Sequence, residues 1–123
     1  MQKDDRIVFR QTVNIFQKLG WDVSEHEKII SIEEYNIFSD ISLRYKGKLY
    51  GYVEVLTKND IEINPKKYIF LLNDYLKKHK PLVFIITNGY KYDVYHYGEF
   101  YGSLTIPPSP KNVNTLFGGE LNE

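Results

Sequence analysis

The sequence predicts an α/β fold, αβββαβ in order, with a mixed central sheet flanked by helices. Three observations carry this expectation: an amphipathic stretch opens the chain, two strongly alternating segments follow it, and a continuous apolar run stands after a second helical stretch. At 123 residues, 42% hydrophobic and 26% charged, the chain has the composition of one globular domain with a real core. The compact part is expected to span residues 1–104, with 105–123 as an extended C-terminal arm.

From Asp4 to Leu19, apolar residues at Ile7, Val8, Val13, Ile15, Phe16 and Leu19 approximate one helix face. Asp4 and Asp5 suit its positive end and Gly20 its stop. Trp21-Asp22-Val23 begins a short strand, with Trp21 in the core, and 24–31 is expected to be an exposed connection or a ragged edge strand. Phe38 to Tyr45 and Lys48 to Thr57 alternate as strands do. Ile41, Leu43, Leu49, Val53 and Val55 define a core face, while Asp40, Ser42, Arg44, Lys48, Tyr50, Tyr52 and Glu54 define the other. Cross-strand partners share a face, so even must pair with even. A three-residue loop Tyr45-Lys46-Gly47 with a bulged Gly47 does this by setting Arg44 against Lys48 and Asp40 against Tyr52. A two-residue Lys46-Gly47 turn pairs odd with even and is expected to part the carboxylates.

Asn59 to Asn64 is a connection, and Pro65 suits the first turn of a helix to about Lys78 with Tyr68, Leu71, Leu72, Tyr75 and Leu76 as its stripe. Pro81 stops it. Leu82 to Ile86 is a strand buried on both faces; strands around Tyr92 to Tyr97 and Phe100 to Leu104 follow, separated from it and from each other by Thr87-Asn88-Gly89 and Gly98.

Charge and composition restrict function. Lysine plus arginine equal aspartate plus glutamate at 16 each, so DNA contact requires a local basic patch. With no cysteine, a metal must be held by oxygen or imidazole, which points to a hard cation. No apolar run is long enough to cross a membrane and Met1-Gln2-Lys3-Asp4-Asp5 lacks a signal peptide's apolar segment, so the expected location is the cytoplasm.

Helix one ending in Leu19-Gly20-Trp21, Asp40 and Glu54-Val55 on neighbouring strands, and Val83-Phe84-Ile85-Ile86-Thr87-Asn88-Gly89 before Tyr92-Asp93-Val94-Tyr95 together resemble the PD-(D/E)XK nuclease superfamily. The likeness is to the N-terminal nuclease domain of type I restriction R subunits and spans roughly the first hundred residues. It implies a restriction-endonuclease-like core and a metal-dependent endonuclease site in which Asp40, Glu54 and the Val55 carbonyl hold Mg²⁺ beside a DNA phosphate. Three positions depart from the pattern. Leu56 occupies the place of the family lysine, the helical glutamine is missing from the Gln-x-x-x-Tyr motif near Leu71 to Tyr75, and Ser39 replaces the proline that often precedes the aspartate. Lys58, two positions on, is the candidate substitute, about 6.5–7 Å along the strand.

Each candidate also has a plainer reading. Asp40 and Glu54 are alternatively solvated strand residues balanced by Arg44 or Lys48. Lys66, Lys67, Lys77 and Lys78 contact DNA phosphate in one reading; in the other, the cations at the helix C-terminus complement its dipole. Tyr90, Tyr92, Tyr95, Tyr97 and Tyr101 line a nucleic-acid surface or simply pack the sheet. His26, His79 and His96 have no metal-ligand spacing, and Asn88-Gly89 is foremost a turn. Two functions follow: Mg²⁺-dependent DNA hydrolysis, or a remnant of it, in restriction or defence; or a catalytically inactive nucleic-acid- or protein-binding module on the same fold. The expected partners are DNA and a protein partner or a homo-oligomer.

Overall fold

The computed structural model describes residues 2–26, 28–32, 35–56, 76 and 79–117, with side chains from residue 6 onward outside the 28–38 region. A helix, α1 (Gln2–Lys18), is followed by β1 (Asp22–Glu25), β2 (Lys28–Ile32), β3 (Tyr35–Phe38), β4 (Ile41–Tyr45), β5 (Lys48–Val55), β6 (Val83–Thr87), β7 (Tyr92–His96), β8 (Glu99–Leu104) and a C-terminal helix, α2 (Pro110–Phe117). Six strands form a mixed sheet in the order β1-β4-β5-β6-β7-β8, and β2 pairs with β3 in a separate two-stranded sheet. Among the described residues, only β5 and β6 run parallel within the large sheet. The expected α/β class and mixed sheet are therefore present.

The α1 face that meets the sheet is Val8, Phe9, Thr12, Val13, Phe16 and Leu19, while Ile7 and Ile15 are exposed. Thr12 tolerates burial because its hydroxyl donates to the Val8 carbonyl at 2.7 Å. Gly20, at φ +107°, ends the helix as expected. Trp21 N–H reaches the Phe16 carbonyl at 3.2 Å and Gly20 N–H the Gln17 carbonyl at 3.1 Å, the paired bonds of a Schellman stop. Arg10 then ties α1 to β1 through two bonds to Glu25, at 2.9 and 3.1 Å.

The main core lies between α1, α2 and one sheet face, with Ile41, Leu43, Val53, Val83, Ile85 and Val94 fully enclosed. Phe84 is buried on the opposite face with Leu76, beside Tyr52, Ile86 and Tyr95. β6 is thus covered on both sides, as its unbroken apolar run requires. Trp21 is core, its ring set edge-on to Tyr50 at 5.2 Å.

The segment 24–31 carries the end of the edge strand β1, one of the two forms expected for it, and most of β2. Two parts of the chain differ from the sequence expectation. The strand expected from Phe38 to Tyr45 is broken at Ser39-Asp40, where the chain passes from β3 into β4. Residues 105–123 were expected to be extended, yet Pro110–Phe117 is helical and Val113 is fully buried. Ser109 caps this helix: its hydroxyl accepts from Asn112 N–H and its own N–H donates to the Asn112 side chain, both at 3.1 Å. Pro110 fills the first helical position, where no N–H is needed. Trp21 Nε1 donates to the Pro108 carbonyl at 2.9 Å, anchoring the segment to the core. The helix expected from Pro65 to about Lys78 lies outside the described residues, apart from Leu76, which is helical.

The hairpin joining β4 to β5 also departs from expectation. Tyr45 pairs with Lys48 across a two-residue turn in which Lys46 (φ +51°) and Gly47 (φ +79°) are both left-handed, the signature of a type I′ turn. The register then shifts: Arg44 faces Leu49 but Leu43 faces Gly51, leaving Tyr50 as one extra residue on β5. Tyr50 turns into the core and Leu49 is exposed, the reverse of the alternation expected for them.

Gly51 has no room for a side chain, because a Cβ there would lie 1.8 Å from the Val83 carbonyl oxygen. We expect Gly51→Ala to force β5 and β6 apart and cost about 3–5 kcal/mol in urea unfolding. Gly47→Ala meets nothing within 4 Å and faces only its positive φ, so about 1–2 kcal/mol is expected. Equal losses for the two would count against this account of the close approach.

A pH dependence follows from the Arg10–Glu25 pair. The bond to Arg10 lowers the Glu25 carboxyl below its ordinary value of 4.5. Its stabilising contribution is therefore present above pH 4.5 and is lost as pH falls through the lower folded-state value. Because the pair is solvent-exposed, the effect is small. Thermal unfolding of Glu25→Gln should show a slight loss at neutral pH that disappears in acid, and a difference independent of pH would exclude the pair as its source.

Candidate functional site

Asp40 occupies the bend where the chain leaves β3 and enters the large sheet. It is held from two sides. His26 N–H donates to its backbone carbonyl at 3.1 Å, and Val55 N–H donates to its Oδ2 at 2.8 Å. The neighbouring Ser39 is buried and its hydroxyl meets that of Ser42 at 2.8 Å. The bend is thus closed by side-chain hydrogen bonding where a proline would close it by ring geometry.

Glu54 sits one residue from the end of β5, half-buried, level with Ile86 on β6. On the other side of β5, Ser42 faces Tyr52 and Ile41 faces Val53. Continued by one residue, this register brings Asp40 level with Glu54. The expected pairing of Asp40 with Tyr52 is therefore corrected by two positions, and the two-residue turn does not part the carboxylates. The extra residue at Tyr50 restores the parity that the turn alone would have broken.

The backbone beyond Glu54 is fixed by the same strands. Val55 N–H points to Asp40, whereas Leu56 N–H points the other way, to the Thr87 carbonyl at 2.7 Å. An extended residue sends its N–H and C=O to the same neighbour, so the Val55 carbonyl opens on the side of Asp40. Leu56 is buried. The position to which the resemblance assigns a lysine thus holds an apolar side chain enclosed by protein.

Thr87-Asn88-Gly89 forms a locked turn beside this end of β5. Thr87 Oγ1 donates to the Lys91 carbonyl at 2.7 Å and accepts from Gly89 N–H at 3.0 Å. Asn88 Oδ1 accepts from Tyr90 N–H at 2.9 Å and Lys91 N–H at 3.1 Å. The Asn88 carbonyl oxygen therefore shapes the turn, in keeping with the turn signal in the sequence.

The remaining candidates scatter. Lys58, Lys66, Lys67, Lys77 and Lys78 lie outside the described residues. Arg44 donates to the Ser24 hydroxyl at 3.3 Å on the β1 side. The tyrosine series divides: Tyr92 is core against Phe16, Tyr95 is half-buried against Phe100, and Tyr90, Tyr97 and Tyr101 are exposed. Burial raises the Tyr92 and Tyr95 hydroxyl pKa values, with nearby Asp93 adding to the rise at Tyr95. His96 stacks flat on Phe117 at 4.0 Å. His26, read from spacing as structural, stacks on Phe9 and supplies the backbone bond to Asp40; no sequence signal marks that bond, which depends on β1 pairing with β4.

By register, the arrangement offers two carboxylates level with each other near the start of β4 and one carbonyl opening on the side of Asp40. Among the described residues, no three His, Cys, Asp or Glu side chains cluster as metal ligands. One or two carboxylates with carbonyl and water ligands are what Mg²⁺ takes, so the donor set fits a hard cation without a full protein cage.

No protein-family model and no curated protein sequence matches the chain. Solved structures do. A fragment described as an HsdR subunit of a type I restriction enzyme from Vibrio vulnificus YJ016 is similar over 92% of this chain, with a TM-score of 0.59 and 14% identity. The cryo-EM structure of a DrdV–DNA complex is similar over 85% of it, with a TM-score of 0.51 and again 14% identity. This chain spans 25% and 10% of those two chains, respectively. It therefore has the restriction-enzyme-like α/β fold.

Proposed function

We propose that this chain is a PD-(D/E)XK-type domain of a restriction or defence system, in which Asp40, Glu54 and the Val55 carbonyl hold Mg²⁺ beside a DNA phosphate. The observation that carries this reading is the register that sets Asp40 level with Glu54. Two ionised carboxylates so placed repel unless solvent or a cation intervenes, which favours a cation between them. Bound there, Mg²⁺ would acidify a water and stabilise charge on the phosphate. The Val55 N–H orients the Asp40 carboxylate through one of its oxygens. The resemblance to the DrdV–DNA complex makes DNA the natural partner.

A second reading, a catalytically inactive binding module, is favoured by one specific observation: Leu56 is buried where the lysine belongs. Loss of one such electrostatic contact costs about a hundredfold to a thousandfold in rate. Lys58 is the candidate replacement.

Calorimetric titration with Mg²⁺ and Mn²⁺, paired with a plasmid-nicking assay, tests both readings. We expect cation binding that is lost in Asp40→Ala and Glu54→Ala, with folding of each variant checked by circular dichroism. Binding without nicking assigns the inactive reading; no binding at all removes the metal site.

Leu56→Lys asks whether the lysine is what is missing. Nicking should rise by about two to three orders of magnitude if the rest of the site is intact. Some stability should be lost, since a buried apolar position receives a charge. No gain in a folded variant would place the deficit elsewhere.

A further inference from the structure

The two edges of the large sheet are built differently. β1 is four residues long, bears Asp22 and Glu25, and is bound to α1 through Arg10. Short length and charge are the usual protections of an edge strand. β8 is six residues long and, from Phe100 to Leu104, carries no charge and no proline. Among the described residues nothing pairs with its outer side. Its one irregularity is at Tyr101, the extra residue between Phe100 facing Tyr95 and Gly102 facing Val94. The bulge turns the Tyr101 ring against Phe117 at 5.3 Å and leaves Gly102 to Leu104 as a straight stretch.

Apolar side chains flank that stretch on both sides. Phe100 is 59% exposed and Tyr101 46% on one side; Ile106 is 72% exposed on the other, with Leu116 at 38% above it. An apolar cavity of about 210 Å³ opens between Leu104, Ile106, Pro108 and Leu116. We propose that β8 is the contact through which two copies of this chain pair, antiparallel, about a two-fold axis at Ser103.

An antiparallel edge is its own complement, which a two-fold contact requires. With Ser103 on the axis, Gly102 meets the partner's Leu104 and Phe100 comes level with the partner's Ile106. Tyr101 then borders the partner's apolar cavity. The two exposed groups and the cavity that receives them are thus exchanged symmetrically. Charge agrees, because the edge is neutral and the whole chain carries 16 cationic and 16 anionic side chains, so no net repulsion opposes two copies. The four exposed side chains offer roughly 400 Å² per copy at about 150–250 Å² for each aromatic. With the strand edge added, the total comes within reach of the roughly 1,000 Å² that a specific interface needs.

The test is the mass of the full chain by light scattering and sedimentation across a concentration series into the millimolar range. A dimer is expected, with Phe100→Lys and Ile106→Lys each weakening association at least about tenfold. Both positions are exposed, so the fold should survive, and Leu49→Lys, exposed on β5 three strands away, serves as the control. Since the chain has no cysteine, register is read directly. Ser103→Cys should form a disulfide with itself, and Phe100→Cys should cross-link to Ile106→Cys, each faster than Leu49→Cys. A monomer throughout, or a dimer indifferent to the two lysines, or cross-linking no faster than the control, overturns the proposal. So does a monomer whose β8 edge is occupied by a different protein.

Discussion

The level placement of Asp40 and Glu54 depends on β5 holding one residue more than β4 between their turn and the site. That residue is Tyr50. Without it, the type I′ turn at Lys46-Gly47 would pair odd with even positions and send the two carboxylates to opposite faces of the sheet. The bulge is stabilised by where it puts its side chain: Tyr50 packs edge-on against Trp21 at 5.2 Å and Tyr45 at 6.2 Å. Burial raises the Tyr50 hydroxyl pKa, as expected of a phenol withdrawn from water. Trp21 in turn holds the Pro108 carbonyl. One aromatic cluster therefore links the register of the site hairpin to the docking of the C-terminal helix.

The next residue, Gly51, carries a second constraint. Directly after the bulge, β5 must approach β6 so closely that a Cβ would overlap the Val83 carbonyl. From there the two strands run parallel in register to Val55 and Thr87, where Leu56 N–H closes on the Thr87 carbonyl. The bulge thus sets which face Glu54 occupies, and the close parallel pairing sets the direction of the backbone at Val55. Both are needed for Val55 N–H to meet Asp40.

Most of the fold was legible because its signals are local. The stop at Gly20, the alternation of β4 and the later part of β5, and the doubly buried run of β6 each follow from residues a few positions apart. The misread parts depend on distant partners or on competing local signals. Leu49 and Tyr50 alternate like their neighbours in sequence, and only the aromatic pocket made by Trp21 and Tyr45 reveals that Tyr50 is the extra residue. The break at Ser39-Asp40 was hidden by apolar residues continuing on both sides. Pro107-Pro108-Ser109-Pro110 suggested an extended arm, although Ser109, Pro110 and Asn112 are also an N-cap, a first-turn proline and a capping partner. The candidate pair was read from alternation, but its expected register, Asp40 against Tyr52, came from a three-residue turn and is two positions out.

Asp40 has a structural use that does not depend on any ligand. Its carboxylate accepts the Val55 N–H and its carbonyl the His26 N–H, so it joins the ends of β1 and β5 to the entry of β4. Removing that acceptor would leave a half-buried backbone donor without its partner, a cost of about 1–3 kcal/mol. An aspartate here is therefore compatible with either an active or an inactive site. Leu56 has a structural use as well: it is buried and its N–H closes on the Thr87 carbonyl, so a lysine in its place would bring a charge into an apolar position at a cost in stability. The hydrogen bonds that orient Asp40 thus also hold the ends of the sheet together.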